Sequence, residues 1–392
     1  MMRVIYILSS TMPYGGATKS FLTMVTQLQH AGVVPLVVVP DNGGVCNRLS
    51  ELGIEYRVLS YRLGVYPPTG SLKDLLLFIP RLLGRIYINR IAAGKICDIA
   101  QQFKPNLIHT NVGVLTVGYM AARRLHIPHV WHIREYADLD FDLHIYPSRR
   151  NHLRALHQPN SYSVCITHDI AKYNGVDDHK QSQVIYNGIV SGNELHKALP
   201  AMTKECFFLF AGRIEPGKGI QQMIDAYIPS VPVMRVKHKL LIAGKIENAE
   251  YYAQILDSIA KAQASEDIVF LGEVANVEKY MQQAKAVIIP SVSEGFGRVM
   301  PEAMCMNTPV IARNTAGSKE QLDNGLQLTG AEIGLRYSTT DELSRLIVQV
   351  ADAEAEAFAE MTARARQTVC TLYTNEQYAQ NILSFYNRIL AQ

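Results

Sequence analysis

Short apolar runs rich in β-branched residues alternate with longer helical segments, and this alternation occurs twice along the chain. In the first half the runs are residues 4–8, 36–39, 54–59, 107–109, 129–133, 164–167 and 184–186. In the second half they are residues 207–211, 240–243, 268–271, 286–289 and 310–312. Strands that alternate with helical crossovers form parallel sheets. The sequence therefore predicts an α/β fold with two Rossmann-like doubly wound domains.

A polar stretch at residues 189–204 separates the two sets of runs. It contains glycine and proline and has no sustained apolar period, which is typical of a linker between domains. The length of 392 residues also favours more than one domain. We therefore place the first domain at residues 1–195 and start the second at residue 204. Because the carboxyl ends of the strands form the ligand face of such domains, we expect the two domains to face a central cleft.

The charges and cysteines of the chain exclude several classes of partner and cofactor. Lysine plus arginine number 38 and aspartate plus glutamate 35, a net charge of +3 that is too balanced to predict nucleic-acid binding. The six cysteines include no C-x-x-C pair, so we expect neither a structural zinc site nor a disulfide framework. The apolar run near the amino terminus is too short for a signal peptide, and we expect a cytoplasmic protein.

The most apolar stretch of the chain, residues 72–104, supports two interpretations. A transmembrane helix needs about 20 nearly uncharged residues. This stretch is instead interrupted by Lys73, Arg81, Arg85, Arg90 and Lys95. It is therefore either a crossover helix whose apolar side is core, or an amphipathic helix that attaches the protein peripherally to the inner, anionic face of a membrane.

A glycine-rich turn follows the run at residues 207–211. Its sequence, Gly212-Arg-Ile-Glu-Pro-Gly-Lys-Gly219, has the spacing of a phosphate-binding P-loop but places glycine where that loop needs serine or threonine. Because this hydroxyl group binds Mg²⁺ in nucleoside triphosphatases, such an activity is disfavoured. Arg213 and Lys218 can still bind an anionic group near a helix start.

A second turn follows the run at residues 286–289. Gly295 and Gly297 flank Phe296 and would let backbone N–H groups approach a ligand at the start of a helix. Glu294 and Glu302 could each accept two hydrogen bonds from a vicinal diol, as on a ribose or a hexose. For each glutamate taken alone, a purely structural role remains open: Glu302 would stabilise the helix dipole and Glu294 would be exposed.

The run at residues 129–133 ends in polar residues. His132 and Arg134 share one face of an extended strand, and both would reach the cleft at its carboxyl end. A single histidine in such a position is more often a structural residue than a catalytic one. The residues alone leave these two roles open.

Four motifs, taken together and in order, resemble family 4 of the retaining glycosyltransferases, which have the two-domain GT-B architecture. They are a Gly-Gly turn at residues 15–16, Val-Ile-Tyr-Asn-Gly at 184–188, Gly-Arg-x(4)-Lys-Gly at 212–219, and Glu-x(7)-Glu around Gly-Phe-Gly at 294–302. Their order extends the resemblance over essentially the whole chain. In this family the last helix crosses back to the first domain. This implies that residues 375–392 join the first domain and that the second domain spans 204–374.

The resemblance also implies roles for the residues of the second domain. That domain holds a nucleoside-diphosphate sugar in the family, so Arg213 and Lys218 would bind its diphosphate. Glu302 would bind the ribose. Glu294, together with the backbone of residues 295–297, would contact the donor sugar and the phosphates.

For the first domain, the resemblance implies that the turn Tyr14-Gly15-Gly16 closes over the donor. His132 matches a functional histidine near the donor sugar in the family. Tyr14 is a candidate for contact with the acceptor. Arg134 departs from the family pattern and is a candidate for contact with the acceptor or with a phosphate.

The implied activity is transfer of a sugar, with retention of configuration, from a nucleoside-diphosphate sugar to a hydroxyl group of a sugar, polysaccharide or lipid-linked glycan. A UDP-sugar is the first expectation for the donor. Two other functions remain open: a sugar-nucleotide epimerase of the same architecture, and a non-catalytic subunit that binds a nucleotide sugar.

We expect neither a cofactor nor a metal ion. Arg213, Lys218 and the helix start at Gly297 would meet the negative charge that develops on the departing nucleotide. The alternative is a divalent cation at Asp138-Leu-Asp140, continued by Asp142, which lies away from the diphosphate motifs.

Overall fold

The structure, a computed structural model, describes residues 1–12, 15–195 and 203–391. The chain divides into two compact units. The first contains Met1–Gly188 and Asn375–Gln392, and the second contains Ile189–Thr374. The sequence places the boundary in the polar stretch at residues 189–204, and the second unit begins at the first residue of that stretch.

Seven parallel strands form the sheet of the first unit, in the order β3-β2-β1-β4-β5-β6-β7. They are β1 (Arg3–Ile7), β2 (Val34–Val39), β3 (Glu55–Val58), β4 (Leu107–Thr110), β5 (His129–Ile133), β6 (Ser161–Cys165) and β7 (Ser182–Val184). Val4 and Tyr6 of β1 belong to one apolar core and Ile5 and Ile7 to another. Alternate side chains of a strand point to opposite faces, so both faces of this sheet are covered, as its continuous apolar runs require.

Helices connect these strands. They are α1 (Gly16–His30), α2 (Gly44–Glu51), α3 (Leu72–Leu76), α4 (Phe78–Phe103), α5 (Val117–Leu125), α6 (Asp138–Phe141), α7 (Arg149–Leu156) and α8 (His168–Tyr173). Thr167 caps α8 by accepting a hydrogen bond from the backbone N–H of Ile170. Within the ranges that the structure describes, no helix is long and apolar enough to cross a bilayer.

Six parallel strands form the sheet of the second unit, in the order β10-β9-β8-β11-β12-β13. They are β8 (Phe207–Ala211), β9 (Lys239–Ala243), β10 (Ile268–Gly272), β11 (Ala286–Ile289), β12 (Val310–Arg313) and β13 (Leu335–Tyr337). Its helices are α9 (Gly192–Leu195), α10 (Ile220–Ser230), α11 (Ala249–Lys261), α12 (Val277–Gln283), α13 (Val299–Cys305), α14 (Ala316–Thr329), α15 (Thr340–Asp352) and α16 (Ala359–Leu372). Short 3₁₀ turns lie at Pro216–Lys218, Val231–Val233 and Ala355–Phe358. The two doubly wound α/β domains predicted from the sequence are confirmed.

The last helix, α17 (Asn375–Leu390), belongs to the first unit. It packs against α1. Tyr378, Ile382 and Phe385 are buried in the same apolar core as Phe21 and Met24 of α1. The helix therefore completes the core of the amino-terminal sheet.

The strand order reverses beside the first strand of each sheet. In the first unit β1 lies between β2 and β4, and in the second β8 lies between β9 and β11. Ligands of doubly wound sheets bind outside the carboxyl ends of the strands at this switch point. The loops after β1, β4, β8 and β11 are therefore the parts of the fold positioned for function.

Two strands differ from their predicted positions. The run at 164–167 predicts a strand that starts three residues later than β6, because two serines precede Val164. All five residues of β6 are buried, and Ser161 is satisfied by a hydrogen bond of 3.0 Å from the indole N–H of Trp131. The sequence pattern does not reveal β13 because it has only three residues.

Candidate active site

The loops that follow β8 and β11 meet at the carboxyl edge of the second unit's sheet. The two strands are paired neighbours at the switch point. The backbone N–H of Val292 in the second loop donates a 3.3 Å hydrogen bond to the carbonyl oxygen of Gly217 in the first. The two motifs that the sequence singles out in this domain are therefore adjacent.

Gly219 closes the first loop against the second. Its φ of +68° lies in the left-handed region, and a Cβ atom there would lie 2.1 Å from the carbonyl oxygen of Pro290. A serine or threonine, the residues that carry the Mg²⁺-binding hydroxyl group of a P-loop, would collide at this position. This collision is the physical reason for the departure from the P-loop pattern.

Replacing Gly219 with alanine is expected to lower the free energy of unfolding by at least about 2 kcal/mol, because the left-handed backbone and the contact with Pro290 both oppose a Cβ atom. Urea denaturation measures the change. Gly217 is the matched control, since its backbone is not left-handed and a Cβ atom at this residue would have no other atom within 4 Å. An equal loss in both alanine variants would contradict this account of Gly219.

Lys218 and Glu294 pair across the two loops. Nζ of Lys218 lies 2.9 Å from Oε1 and 2.8 Å from Oε2 of Glu294. The two side chains are only 17% and 23% exposed. Because an ammonium group has three donors, Lys218 can hold Glu294 and still donate to an anion. The pair orients the carboxylate and keeps a cation at the switch point.

Two further ion pairs lie on the same loops. Arg213 contacts Glu215 at 2.9 Å, and Arg298 contacts Glu302 at 3.3 Å. The Arg213 side chain is 42% exposed, and an exposed ion pair contributes only about 0–1 kcal/mol. Arg213 can therefore release the carboxylate of Glu215 and bind a more highly charged anion at little cost in free energy. The predicted ligands Arg213, Lys218, Glu294 and Glu302 all lie on these two loops or on the first turn of α13.

The turn at residues 294–297 is supported from behind by α14. The backbone N–H of Gly317 donates a 2.9 Å hydrogen bond to the carbonyl oxygen of Glu294. Nε2 of Gln321 donates to the carbonyl oxygen of Phe296 and, at 3.3 Å, to that of Gly297. The Phe296 ring is buried edge-on against Tyr373, so this residue can reach a ligand only through its backbone. The shape of the turn is thus fixed before any ligand binds.

Three residues of this region, Glu215, Arg298 and Gln321, were not predicted from the sequence. Arg298 stands four residues before Glu302 at the start of α13, a spacing at which oppositely charged side chains meet. That signal was available in the sequence. No such signal existed for Gln321, because it contacts backbone atoms about 25 residues away.

In the first unit, α1 begins beyond the carboxyl end of β1. Gly15 is its N-cap residue and Gly16 its first residue, and both are exposed. No side chain in the described part of the chain caps the helix, so its first N–H groups are open to an acceptor. Tyr14 lies outside the described residues.

His132 is fully buried at the carboxyl end of β5. Its Nδ1 lies 3.1 Å from Nε2 of His109 on β4 and 3.3 Å from Nη2 of Arg134. Nδ1 of His109 in turn lies 2.5 Å from the hydroxyl oxygen of Tyr386 on α17. His132 therefore belongs to a buried polar network that joins two strands to the last helix.

The network fixes the tautomer of His132. Burial, and then the charge of Arg134, lower the pKa of His132 well below its ordinary value, so the ring is neutral. A guanidinium group can only donate, so the Nδ1 atom that faces Arg134 accepts and the proton is on Nε2. His109 then donates from Nε2 and accepts the Tyr386 hydroxyl proton at Nδ1. Nε2 of His132 is buried and has no hydrogen-bond partner among the described residues.

Arg134 is engaged within its own unit. It is 8% exposed. Nε donates to Asn111 at 3.1 Å, Nη1 to Asn187 at 2.7 Å and Nη2 to the Tyr378 hydroxyl oxygen at 2.8 Å. The predicted contact of Arg134 with the acceptor has no support in this geometry, because all three nitrogen atoms already bind side chains. Arg134 instead ties the ends of β4, β5 and α17 together.

The Asp-x-Asp segment is also occupied by protein contacts. Asp138 accepts a 2.5 Å hydrogen bond from the Tyr173 hydroxyl group, and Asp140 accepts one of 3.0 Å from the backbone N–H of Tyr136. Asp142 lies 3.4 Å from His144. Over the described ranges, no group of three or more His, Cys, Asp or Glu side chains is arranged to hold a metal ion.

Two family models match most of the chain. The model for glycosyl transferases group 1 matches residues 192–368, and that for the glycosyl transferase 4-like domain matches residues 15–169. The chain therefore belongs to this family of glycosyltransferases, which confirms the resemblance drawn from the sequence motifs.

Two similar proteins illustrate the range of the family. N-acetyl-α-D-glucosaminyl L-malate synthase of Bacillus anthracis is 22% identical over 313 residues, which are 76% of this chain and 78% of that protein. Lipopolysaccharide 1,2-N-acetylglucosaminetransferase of Salmonella typhimurium is 31% identical over 180 residues, which are 44% of this chain and 45% of that protein. The chain thus matches less than half the length of the second relative.

Solved structures share the fold over the full length. HepE of Anabaena in complex with UDP superposes with a TM-score of 0.76 and 19% identity, covering 99% of this chain and 100% of that chain. Its complex with UDP-glucose gives a TM-score of 0.75 and 20% identity, covering 99% of this chain and 100% of that chain. These matches confirm the predicted GT-B fold class.

Proposed function

We propose that this protein is a retaining glycosyltransferase that moves a sugar from a UDP-sugar to a hydroxyl group of a glycan, polysaccharide or glycolipid. The observation that carries the proposal is the Lys218–Glu294 pair at the switch point of the second unit, in a chain of the glycosyltransferase family. UDP is supported as the nucleotide by HepE, a protein of the same fold that was solved with UDP and with UDP-glucose. Retention rests on the resemblance to family 4.

The donor is held by the loops after β8 and β11. Arg213 and Lys218 donate to the diphosphate, and the backbone N–H groups of residues 295–297 support it at the start of α13. Glu294, oriented by Lys218, accepts hydrogen bonds from hydroxyl groups of the donor sugar. Glu302 accepts those of the ribose diol.

The chemical step breaks the bond between the anomeric carbon of the sugar and the diphosphate oxygen. Arg213, Lys218 and the start of α13 stabilise the negative charge that develops on the departing UDP, so the reaction needs no metal ion. The acceptor hydroxyl group forms the new bond on the same face of the sugar and gives its proton to the departing phosphate. Gly15 and Gly16, at the start of α1, close over the donor from the first unit.

In this proposal, Nε2–H of His132 donates a hydrogen bond to an oxygen of the donor sugar after donor binding uncovers this buried atom. The support for this role is the tautomer assigned above together with the buried, unpartnered Nε2 atom, since leaving such an atom unpaired costs about 1–3 kcal/mol. The side chain therefore orients the sugar and does not act as a base at this nitrogen.

Incubation with a panel of UDP-sugars and GDP-sugars, with cell extract as the source of acceptor, tests the function. Mass spectrometry should detect nucleoside diphosphate and a glycosylated product in equal amounts. An interconverted nucleotide sugar without released nucleotide would identify an epimerase. Tight binding of a nucleotide sugar without any turnover would identify a non-catalytic subunit. Either result would overturn the proposal.

The assigned tautomer is a prediction for ¹⁵N nuclear magnetic resonance. Nε2 of His132 should show the chemical shift of a protonated nitrogen, and Nδ1 that of an unprotonated one. We expect His132→Phe to lower kcat/KM by about tenfold, the loss of one good hydrogen bond. His132→Gln, which keeps a donor near the same position, should retain more activity. A protonated Nδ1 would contradict the assignment.

A further inference from the structure

The first turns of the α3–α4 segment expose a row of large apolar side chains. These are Leu72, Leu75, Leu76, Leu77, Ile79, Leu83, Tyr87 and Ile91, here called the α3–α4 apolar face, and each is more than a third exposed. Leu72 and Leu76 are 82% and 81% exposed. A group of exposed apolar side chains of this size often marks an interaction site.

The face is distinct from the part of α4 that packs on the sheet. The buried residues of α4 lie between Asn89 and the end of the helix; they are Asn89, Ala92, Ala93, Ile96, Ala100 and Phe103. The exposed residues Ile79, Leu83, Tyr87 and Ile91 recur every four positions from the start of α4, and α3 has no buried residue. The core interpretation therefore holds for one side of α4 between Asn89 and Phe103. Residues 72–91 present exposed apolar side chains, and their attachment to a membrane stays a prediction.

The geometry of this surface is held by local contacts. Ser71 caps α3 by accepting a hydrogen bond from the backbone N–H of Asp74 at 3.1 Å. The Asp74 carboxylate then pairs with Arg81 of α4 across the break between the helices. These contacts hold α3 against the start of α4, and both helices expose apolar residues.

The charge around the face is predominantly positive. Between residues 62 and 95 the basic side chains are Arg62, Lys73, Arg81, Arg85, Arg90 and Lys95, whereas Asp74 is the only acidic one. Asp74 is already paired with Arg81. Burial, and then the positive charges of Arg62 and Arg81, lower the pKa of Arg85, so these two arginines lie close enough to Arg85 to repel its charge. An anionic surface would relieve that repulsion.

We propose that the α3–α4 apolar face, with its surrounding basic side chains, docks the protein on the surface of an anionic lipid bilayer. The apolar side chains enter the boundary between headgroups and acyl chains, and the basic side chains contact lipid phosphates. Tyr87, apolar in its ring and polar at its hydroxyl group, suits that boundary. Charge complementarity selects this partner over an uncharged apolar protein surface.

Vesicle sedimentation tests the proposal. The full chain should sediment with vesicles of phosphatidylcholine and phosphatidylglycerol at low salt, and much less with phosphatidylcholine alone or at high salt. The double variant Leu76→Glu/Leu83→Glu should lose at least tenfold in vesicle affinity. Loss of one basic charge, as in Arg90→Gln, should weaken affinity by about fivefold. Because these side chains are exposed, the variants should unfold at the same temperature as the wild type.

Val236→Glu is the matched control, since Val236 is an apolar side chain of the second unit that is 54% exposed. It should sediment like the wild type. Three results would overturn the proposal: no sedimentation of the wild type with phosphatidylglycerol vesicles at low salt, equal sedimentation of the double variant, or a wild-type dimer without vesicles that the double variant converts to a monomer. The last result would assign the face to a second copy of the chain.

Discussion

The variant Lys218→Met is expected to lower kcat/KM for the UDP-sugar by about 30- to 1000-fold, which corresponds to about 2–4 kcal/mol of transition-state stabilisation. Lys218 lies at the switch point, and its side chain is only 17% exposed, so the cation is preorganised and little water can replace it. The negative charge that Lys218 stabilises on the departing diphosphate is greatest when the sugar–phosphate bond is nearly broken. The loss should therefore appear mainly in kcat.

A double variant separates two roles of Lys218. If the lysine acts only by orienting Glu294, then Lys218→Met/Glu294→Gln should be no worse than Glu294→Gln alone. If it also meets the diphosphate charge, the double variant should be clearly slower. Lys261→Met is the control, because Lys261 forms an exposed ion pair with Asp257 on α11 and should retain full activity. The metal-independent mechanism would be contradicted if EDTA abolished activity, Mg²⁺ restored it and Lys218→Met were near wild type. That result would favour a divalent cation at the Asp-x-Asp segment.

The free energy of unfolding should fall by about 3–4 kcal/mol per pH unit between pH 6 and pH 5, because buried histidines must be protonated when the chain unfolds. Burial lowers the pKa of His129 to about 3 and that of His152 to about 4. Burial also lowers the pKa of His109 and His132 well below the ordinary value. Below pH 6.5 these four histidines therefore bind up to four protons in the unfolded chain that they do not bind in the folded chain.

Two carboxyl groups oppose this effect. Burial, and then the charge of Asp140, raise the pKa of Glu135 to about 7, and burial raises that of Asp140. At a pH between the pKa of such a carboxyl group in the unfolded chain and its higher pKa in the folded chain, the folded chain holds a proton that the unfolded chain has lost. At pH 5–6 Glu135 already holds a proton in the folded chain, which reduces the net uptake on unfolding to between two and three protons.

Urea denaturation at half-unit pH steps measures the slope. The variant His152→Gln should reduce it by about one proton, or about 1.4 kcal/mol per pH unit. The control is His30→Gln at the exposed end of α1, which should leave the slope unchanged. A stability that is flat from pH 7 to pH 5 would mean that the four rings are accessible to solvent in the folded state.

Much of the fold could be predicted because its signals are local. A buried parallel strand is a continuous run of β-branched residues, so most strands could be located from the sequence. The regions where prediction failed were those whose burial depends on distant partners. Ser161 lies within a buried strand, where its hydroxyl group accepts a hydrogen bond from the distant Trp131.

The same distinction applies to the candidate site. The two glycine-rich loops could be recognised from the sequence because a turn after a strand must have glycine at positions such as Gly219, which is a constraint on a single residue. Their adjacency followed from the strand order of a doubly wound sheet. The pairing of Lys218 with Glu294 did not, since it depends on how side chains 76 residues apart are oriented.

The sequence by itself thus determined the two α/β domains, the loops at the switch points and the residues that these loops carry, because periodicity and backbone conformation are properties of short segments. Only the tertiary structure decided which of those residues are buried and what they contact. It placed Arg134 against Nδ1 of His132 and so fixed the tautomer of that ring. It also placed Tyr386, 277 residues from His109 in the sequence, against His109. Finally, it decided which residues of α4 are core and which face solvent, because the orientation of a helix depends on the surfaces that pack against it.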